Sequence, residues 1–170
     1  MHPDKIAALL AKTNRAIVGV NRARGGPQLT PVWYFWDGET FRFSTTTERA
    51  KYANLKRNPS MTLLVEDPES YVAAYGEAEI IEAGFAELAR PIIEKYMADR
   101  VDAGMKLVTQ PSRVLVRLRP ERLVGNEDAV HFAQASGTCP GTGSSALWVT
   151  GSRPAQRGSA SGRVRRPVGQ

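Results

Sequence analysis

The segment Ser44-Thr45-Thr46-Thr47-Glu48-Arg49-Ala50-Lys51 holds the residues best suited to chemistry. A β-prone run ends there in hydroxyl side chains, and a helix-prone run opens with two cations in its first turn. Free N–H groups and the positive end of the helix dipole favour an anion at such a junction. Arg49 can grip a phosphate through two parallel hydrogen bonds, and Lys51 adds a point charge. Cations at a helix start are otherwise unfavourable, so a pair of them asks for an explanation. A capped helix with solvated surface charges fits the same residues, and the residues alone leave both readings open.

A second candidate is Pro31-Val32-Trp33-Tyr34-Phe35-Trp36. Strand alternation puts Val32, Tyr34 and Trp36 on one face and Trp33 and Phe35 on the other. Such a proline-interrupted strand can offer backbone N–H and C=O groups to a flat heterocycle, although aromatic stripes more often mean packing. Tyr71, at the start of a later strand, suits ring stacking, a subunit interface or simple half-burial. No residue stands out as a general acid; Tyr34 and Tyr71 are the candidates. Lys56 and Arg57 read as solvated, Glu66 and Asp67 as turn residues. Arg113, Arg117 and Arg119 read as the exposed face of a strand.

What is scarce narrows the chemistry. Cys139 is the only cysteine, and His2 and His131 are the only histidines among 170 residues. An intrachain disulfide is excluded, and a histidine triad or thiolate metal site has too few ligands. Chemistry here is therefore expected from a bound cofactor rather than from side chains.

The elements that must position these residues can be traced along the chain. Residues 3–12 place Ile6, Leu9 and Leu10 at helical spacing. Residues 15–22 and 28–36 read as strands, with Pro31 at an edge or bulge. Asp37-Gly38 signals a two-residue hairpin turn into the alternating strand 39–45. A short helix over 48–58 is stopped by Pro59, and strands follow over 61–65 and 71–82. Gly76 marks a bulge or a close backbone approach in the second of these. A helix over 85–98, with Leu88, Ile92 and Met97 inward, precedes a strand over 113–118. Six strands with few long crossovers favour a mainly β, antiparallel barrel with flanking helices.

The net charge of +6 is unevenly spread. Residues 1–128 carry 18 basic and 17 acidic side chains, and the remaining +5 comes from five arginines beyond Asp128. Residues 129–170 hold seven of the fifteen glycines and no acid. This sets a cofactor-binding domain at 1–126 and a Gly/Ser/Arg-rich tail at 127–170, expected to be mostly disordered. The tail arginines lack interleaved aromatics, so nucleic acid is not the expected partner. No run approaches the ~20 apolar residues of a membrane span, and the N-terminus lacks secretory features. A cytoplasmic protein is expected.

The order of several motifs resembles the pyridoxamine 5′-phosphate oxidase-like, FMN-binding split β-barrel family, and within it the actinobacterial branch that uses the deazaflavin F420. The matching pieces are Pro27-Gln28-Leu29-Thr30 leading into Val32, Arg49-Ala50-Lys51, Asn54-Leu55-Lys56-Arg57-Asn58-Pro59, Ser70-Tyr71 and Gly76-Glu77-Ala78. Arg119-Pro120-Glu121-Arg122-Leu123 resembles the branch's closing segment. The resemblance spans about residues 4–126. It implies a six-stranded antiparallel split β-barrel and a homodimer with two cofactor sites between subunits. Arg49, Ala50 and Lys51 would hold the cofactor phosphate, with Ser44 and Thr45 beside it. The backbone of Pro31, Val32 and Trp33 would lie along the ring, and Tyr71 would approach a cofactor, including the one across the interface. The implied activity is hydride transfer between reduced F420 and a small organic substrate. FMN is the alternative cofactor, and a non-catalytic flavin- or haem-type binder the alternative role. The C-terminal Arg/His substrate motif of true pyridoxamine phosphate oxidases has no counterpart here, which argues against vitamin B6 oxidation.

Overall fold

A computed structural model describes residues 3–125 and 128–131, all within one compact unit, Met1–Ala135. Helix α1 (Pro3–Ala11) buries Ile6, Leu9 and Leu10 as its spacing predicts. Strands β1 (Ala16–Val20), β2 (Gln28–Val32), β3 (Phe35–Trp36) and β4 (Phe41–Thr46) follow. Helix α2 (Ala50–Arg57) leads to the long hairpin of β5 (Ser60–Glu66) and β6 (Tyr71–Ile81). Helices α3 (Ala86–Tyr96) and α4 (Val101–Val108), joined by a short 3₁₀ turn, precede β7 (Arg113–Gly125) and β8 (Asp128–His131).

All pairings are antiparallel, in the order β2-β1-β5-β6-β7-β4-β3, with β8 added on β7. The two ends of this order, β2 and β3, are separated in sequence by Trp33 and Tyr34 alone. Three residues of extended chain span at most about 11 Å. The sheet must therefore curl until its edges meet, and the two edges are not paired to each other. That open seam makes the barrel split. Pro31 lies on edge strand β2, where a missing N–H costs no ladder bond on the open side.

Inside the curl, Tyr34, Phe41, Phe43, Leu63 and Val116 are fully buried. Alternation on β4 turns Phe41, Phe43 and Thr45 inward and leaves Arg42, Ser44 and Thr46 on the outer face. A second apolar cluster covers that outer face, in which Leu115 of β7 packs with Ile92, Ile93 and Val108 of α3 and α4. Gly104 lets α4 close on α3, since a Cβ there would overlap Ile93. At Gly76 the register with β7 shifts, and a Cβ would stand 2.5 Å from the Arg119 carbonyl oxygen. The expected bulge and close approach coincide at that residue.

The fold class is as expected, with differences in its elements. The described residues form eight strands rather than six, because the run 28–36 breaks into β2 and β3 at the seam and β8 follows β7. Helix α4 was not anticipated, and β7 runs seven residues past Leu118. The turn after β3 holds four residues, Asp37–Thr40, not two. The Asp37 carboxylate accepts from the Glu39 and Thr40 amides, and Gly38 takes φ +100°. β8 lies beyond the boundary expected at 126; residues 132–170 of the expected tail lie outside the described residues. No described helix is long and apolar enough to cross a membrane.

Candidate functional site

A cleft of about 380 Å³ opens at the seam. One wall is the end of edge strand β2 and the chain that leaves it, Thr30–Trp33; the other is β4, with Ser44, Thr45 and Thr46. Arg49 and Lys51 reach it from the start of α2, Arg15 from just before β1, and Arg113 from the start of β7. Ile92, Ile93, Leu107 and Val108 supply an apolar side from α3 and α4.

Seven of the nine residues singled out in the sequence thus line one cleft: Pro31, Val32, Trp33, Ser44, Thr45, Arg49 and Lys51. Ala50 does not; it is the exposed first residue of α2, next to both cations. Tyr71 does not either, lying exposed at the start of β6. Tyr34 is unsuited to donate protons in the cleft. It is wholly buried, its hydroxyl donates to the Leu10 carbonyl at 3.1 Å, and burial raises its pKa.

The electrostatics are one-sided. Among the described residues, four cations line the cleft and no carboxylate does. Helix α2 begins at Arg49 without a side-chain cap and without an acid in its first turn. Lys51 is only 7% exposed and has no hydrogen bond or ion pair among the described residues. Burial first, and then Arg49 beside it, lower its pKa from the ordinary lysine value. Ser44 Oγ and Arg113 Nε are buried without a hydrogen-bond partner. Unpaired buried donors are rare in folded proteins because each forfeits its hydration. These residues therefore fit a group that brings negative charge and several acceptor oxygens.

The wall at Trp33 is held from behind. Its indole stacks on Tyr96 at 5.2 Å with the rings 4° from parallel. Tyr96 donates to the Asn14 carbonyl at 2.6 Å, and burial pushes its pKa up to about 12. Lys95, next on α3, donates to the Leu10 carbonyl at 2.7 Å and sits 3.8 Å from the Tyr34 ring centroid, with its pKa lowered to about 8 by burial. One end of α3 thus pins both seam residues.

Arg15 and Arg113 were missed from sequence, Arg113 through its reading as part of an exposed face. The signal was Leu115. It shares a strand face with Arg113 and Arg117, and an apolar residue there marks a covered face. No cluster of three or more potential metal ligands occurs among the described residues.

An antiparallel split barrel whose seam cleft is lined by four cations and, among the described residues, no carboxylate defines a class of protein suited to an anionic ligand. The chain belongs to the pyridoxamine 5′-phosphate oxidase family, whose sequence profile matches residues 2–125. That fold is the one used by flavin-binding oxidoreductases of the family. Among solved structures, the conserved hypothetical protein Rv2991 from Mycobacterium tuberculosis is 26% identical, with a TM-score of 0.65 over 74% of this chain and 84% of that one. A structure described as an F420 reductase is 28% identical, with a TM-score of 0.55 over 69% of this chain and 94% of that one. General Stress Protein 26 from Bacillus anthracis str. Sterne shares the fold at 17% identity and a TM-score of 0.61, covering 78% and 100% of the two chains.

Proposed function

We propose that this protein is an F420-dependent reductase acting on a small organic substrate. The observation that carries the reading is the convergence of Arg49 and Lys51, without carboxylate partners, on a cleft whose other wall is Pro31–Trp33. The likeness to an F420 reductase supports the choice of deazaflavin. FMN carries one phosphate and no oligoglutamate, so it has less use for so basic a cleft. When bound, the cofactor supplies the hydride chemistry.

The chain's own residues bind and orient. Arg49 and Lys51 hold the phosphate, with Ser44 and Thr45 beside it. The backbone of Pro31–Trp33 lies along the ring, and the Trp33–Tyr96 stack keeps that wall rigid. Ile92, Ile93, Leu107 and Val108 exclude water from one side. We also infer a cytoplasmic homodimer, in which Tyr71 approaches the partner's cofactor. Exposed Leu29 and Leu107 suit burial at such an interface.

Titration of the pure protein with F420 and with FMN tests the cofactor. Tight F420 binding is expected; tight FMN binding alongside undetectable F420 binding overturns it. Consumption of reduced F420 is then followed against quinones, enones and tetrapyrroles. Absence of turnover with every acceptor would make the protein a binder rather than a reductase.

A further inference from the structure

Arg49 and Lys51 reach the cleft from α2, but they leave two buried donors on the sheet unexplained. Among the described residues, three buried side-chain polar atoms lack a partner: Arg42 Nε, Ser44 Oγ and Arg113 Nε. Arg42 spends its other nitrogens on the Leu88 carbonyl and Asp37. The side chains of Ser44 and Arg113 make no hydrogen bond or ion pair among the described residues, and both line the cleft. Their placement follows from one ladder. Arg113 pairs with Thr46, and Ser44 with Leu115, so Ser44 and Arg113 are diagonal neighbours on the same outer face. Diagonal positions lie about 7–8 Å apart, within reach of a shared ligand for a long side chain.

A guanidinium only donates, and a serine hydroxyl can donate. Lys51, only 7% exposed, adds three more N–H donors to the cleft. No described carboxylate lines the cleft, so a ligand's oxygens are the acceptors these donors suit. A carboxylate has two oxygens for these donors, whereas a phosphoryl group presents three.

We propose that Arg113 and Ser44 form the sheet-borne half of a phosphoryl cradle whose other half is Arg49 and Lys51, and that Arg113 sets the preference for a phosphorylated over an unphosphorylated ligand. The ligand's identity rests on the cofactor reading above; its phosphoryl chemistry does not.

The test uses the full chain and the variants Arg113→Gln, Arg113→Lys and Ser44→Ala. Each is titrated with F420 and its dephosphorylated ring–ribityl core, with FMN and riboflavin, and with inorganic phosphate followed by thermal shift. Arg113→Gln should weaken the phosphorylated member of the binding pair about 10- to 100-fold, as expected for a charge-assisted hydrogen bond. The unphosphorylated member should be unaffected, Arg113→Lys should recover part of the loss, and Ser44→Ala should cost a few-fold. A structural role would weaken both members together, and that result, or an unchanged preference in Arg113→Gln, overturns the proposal. If neither cofactor binds but phosphate stabilises the wild type and not Arg113→Gln, the cradle stands and the cofactor reading fails. If phosphate does not stabilise the wild type either, both fail.

Discussion

Two sets of cations in this molecule differ in their company. Outside the cleft, Lys12 bonds Asp67 at 2.6 Å, Arg42 bonds Asp37 at 2.8 Å, Lys56 meets Glu82 at 3.1 Å and Arg117 grips Glu79. Arg15, Arg49, Lys51 and Arg113 share one cleft that no described carboxylate lines. The first set is placed to fasten elements. Lys12–Asp67, for example, ties the end of α1 to the turn between β5 and β6. The second set repels itself, and within it Lys51 is held at 7% exposure without a carboxylate partner, which opposes folding. A chain that keeps such a set in one place keeps it for a partner from outside. Paired cations should therefore serve stability and leave binding alone, while cleft cations should do the reverse.

The largest expected effect comes from discharging the cleft. Arg49→Gln with Lys51→Gln removes two charge-assisted contacts of about 1.5–3 kcal/mol each. Affinity for the phosphorylated cofactor, read by calorimetric titration, should fall by about two to four orders of magnitude, with the protein still folded. Gly104→Val should come next. It forces α4 away from Ile93 on α3, with an overpacking cost of about 1–3 kcal/mol. Unlike the charge variants, it should weaken phosphorylated and unphosphorylated ligands alike, because it displaces the apolar side of the cleft.

A smaller effect separates the two sets by pH. Burial and Arg49 lower the pKa of Lys51 in the free protein, whereas a bound phosphate favours its charged form. Affinity should therefore fall as pH rises through that lowered pKa, and Lys51→Arg should flatten the slope, since arginine stays charged. Asp67 behaves oppositely. Its hydrogen bond from Lys12, with others from Glu69 and Ser70, holds its carboxyl well below the ordinary value. Its contribution is present above about pH 4 and is lost as pH falls through the lowered pKa. Asp67→Asn should lower the melting temperature by a few degrees at neutral pH, flatten the acid limb of the stability curve and leave cofactor affinity unchanged.

Much of the site was legible because its signals are local. The inward Phe41 and Phe43, the hydroxyls that end β4 and the cations that open α2 lie within eleven residues of one another. What stayed hidden depends on distant chain. The seam exists because β2 and β3 become opposite edges of one sheet, which no property of residues 28–36 announces. Arg113 enters the cleft only because α4 roofs its strand face, and Gly104 in the middle of VDAGMKLV masked that helix. Tyr71 was singled out by its place at a strand start and Ala50 by its place between the two cations, and neither side chain lines the cleft of its own chain.

Lys51→Met tests the central claim most directly, with melting temperature and affinity for the phosphorylated cofactor measured on the same preparation. A charge kept for a ligand is a liability to the empty fold. The variant should therefore melt higher than the wild type while binding at least about tenfold more weakly. A variant that melts lower and binds as the wild type does would contradict the account.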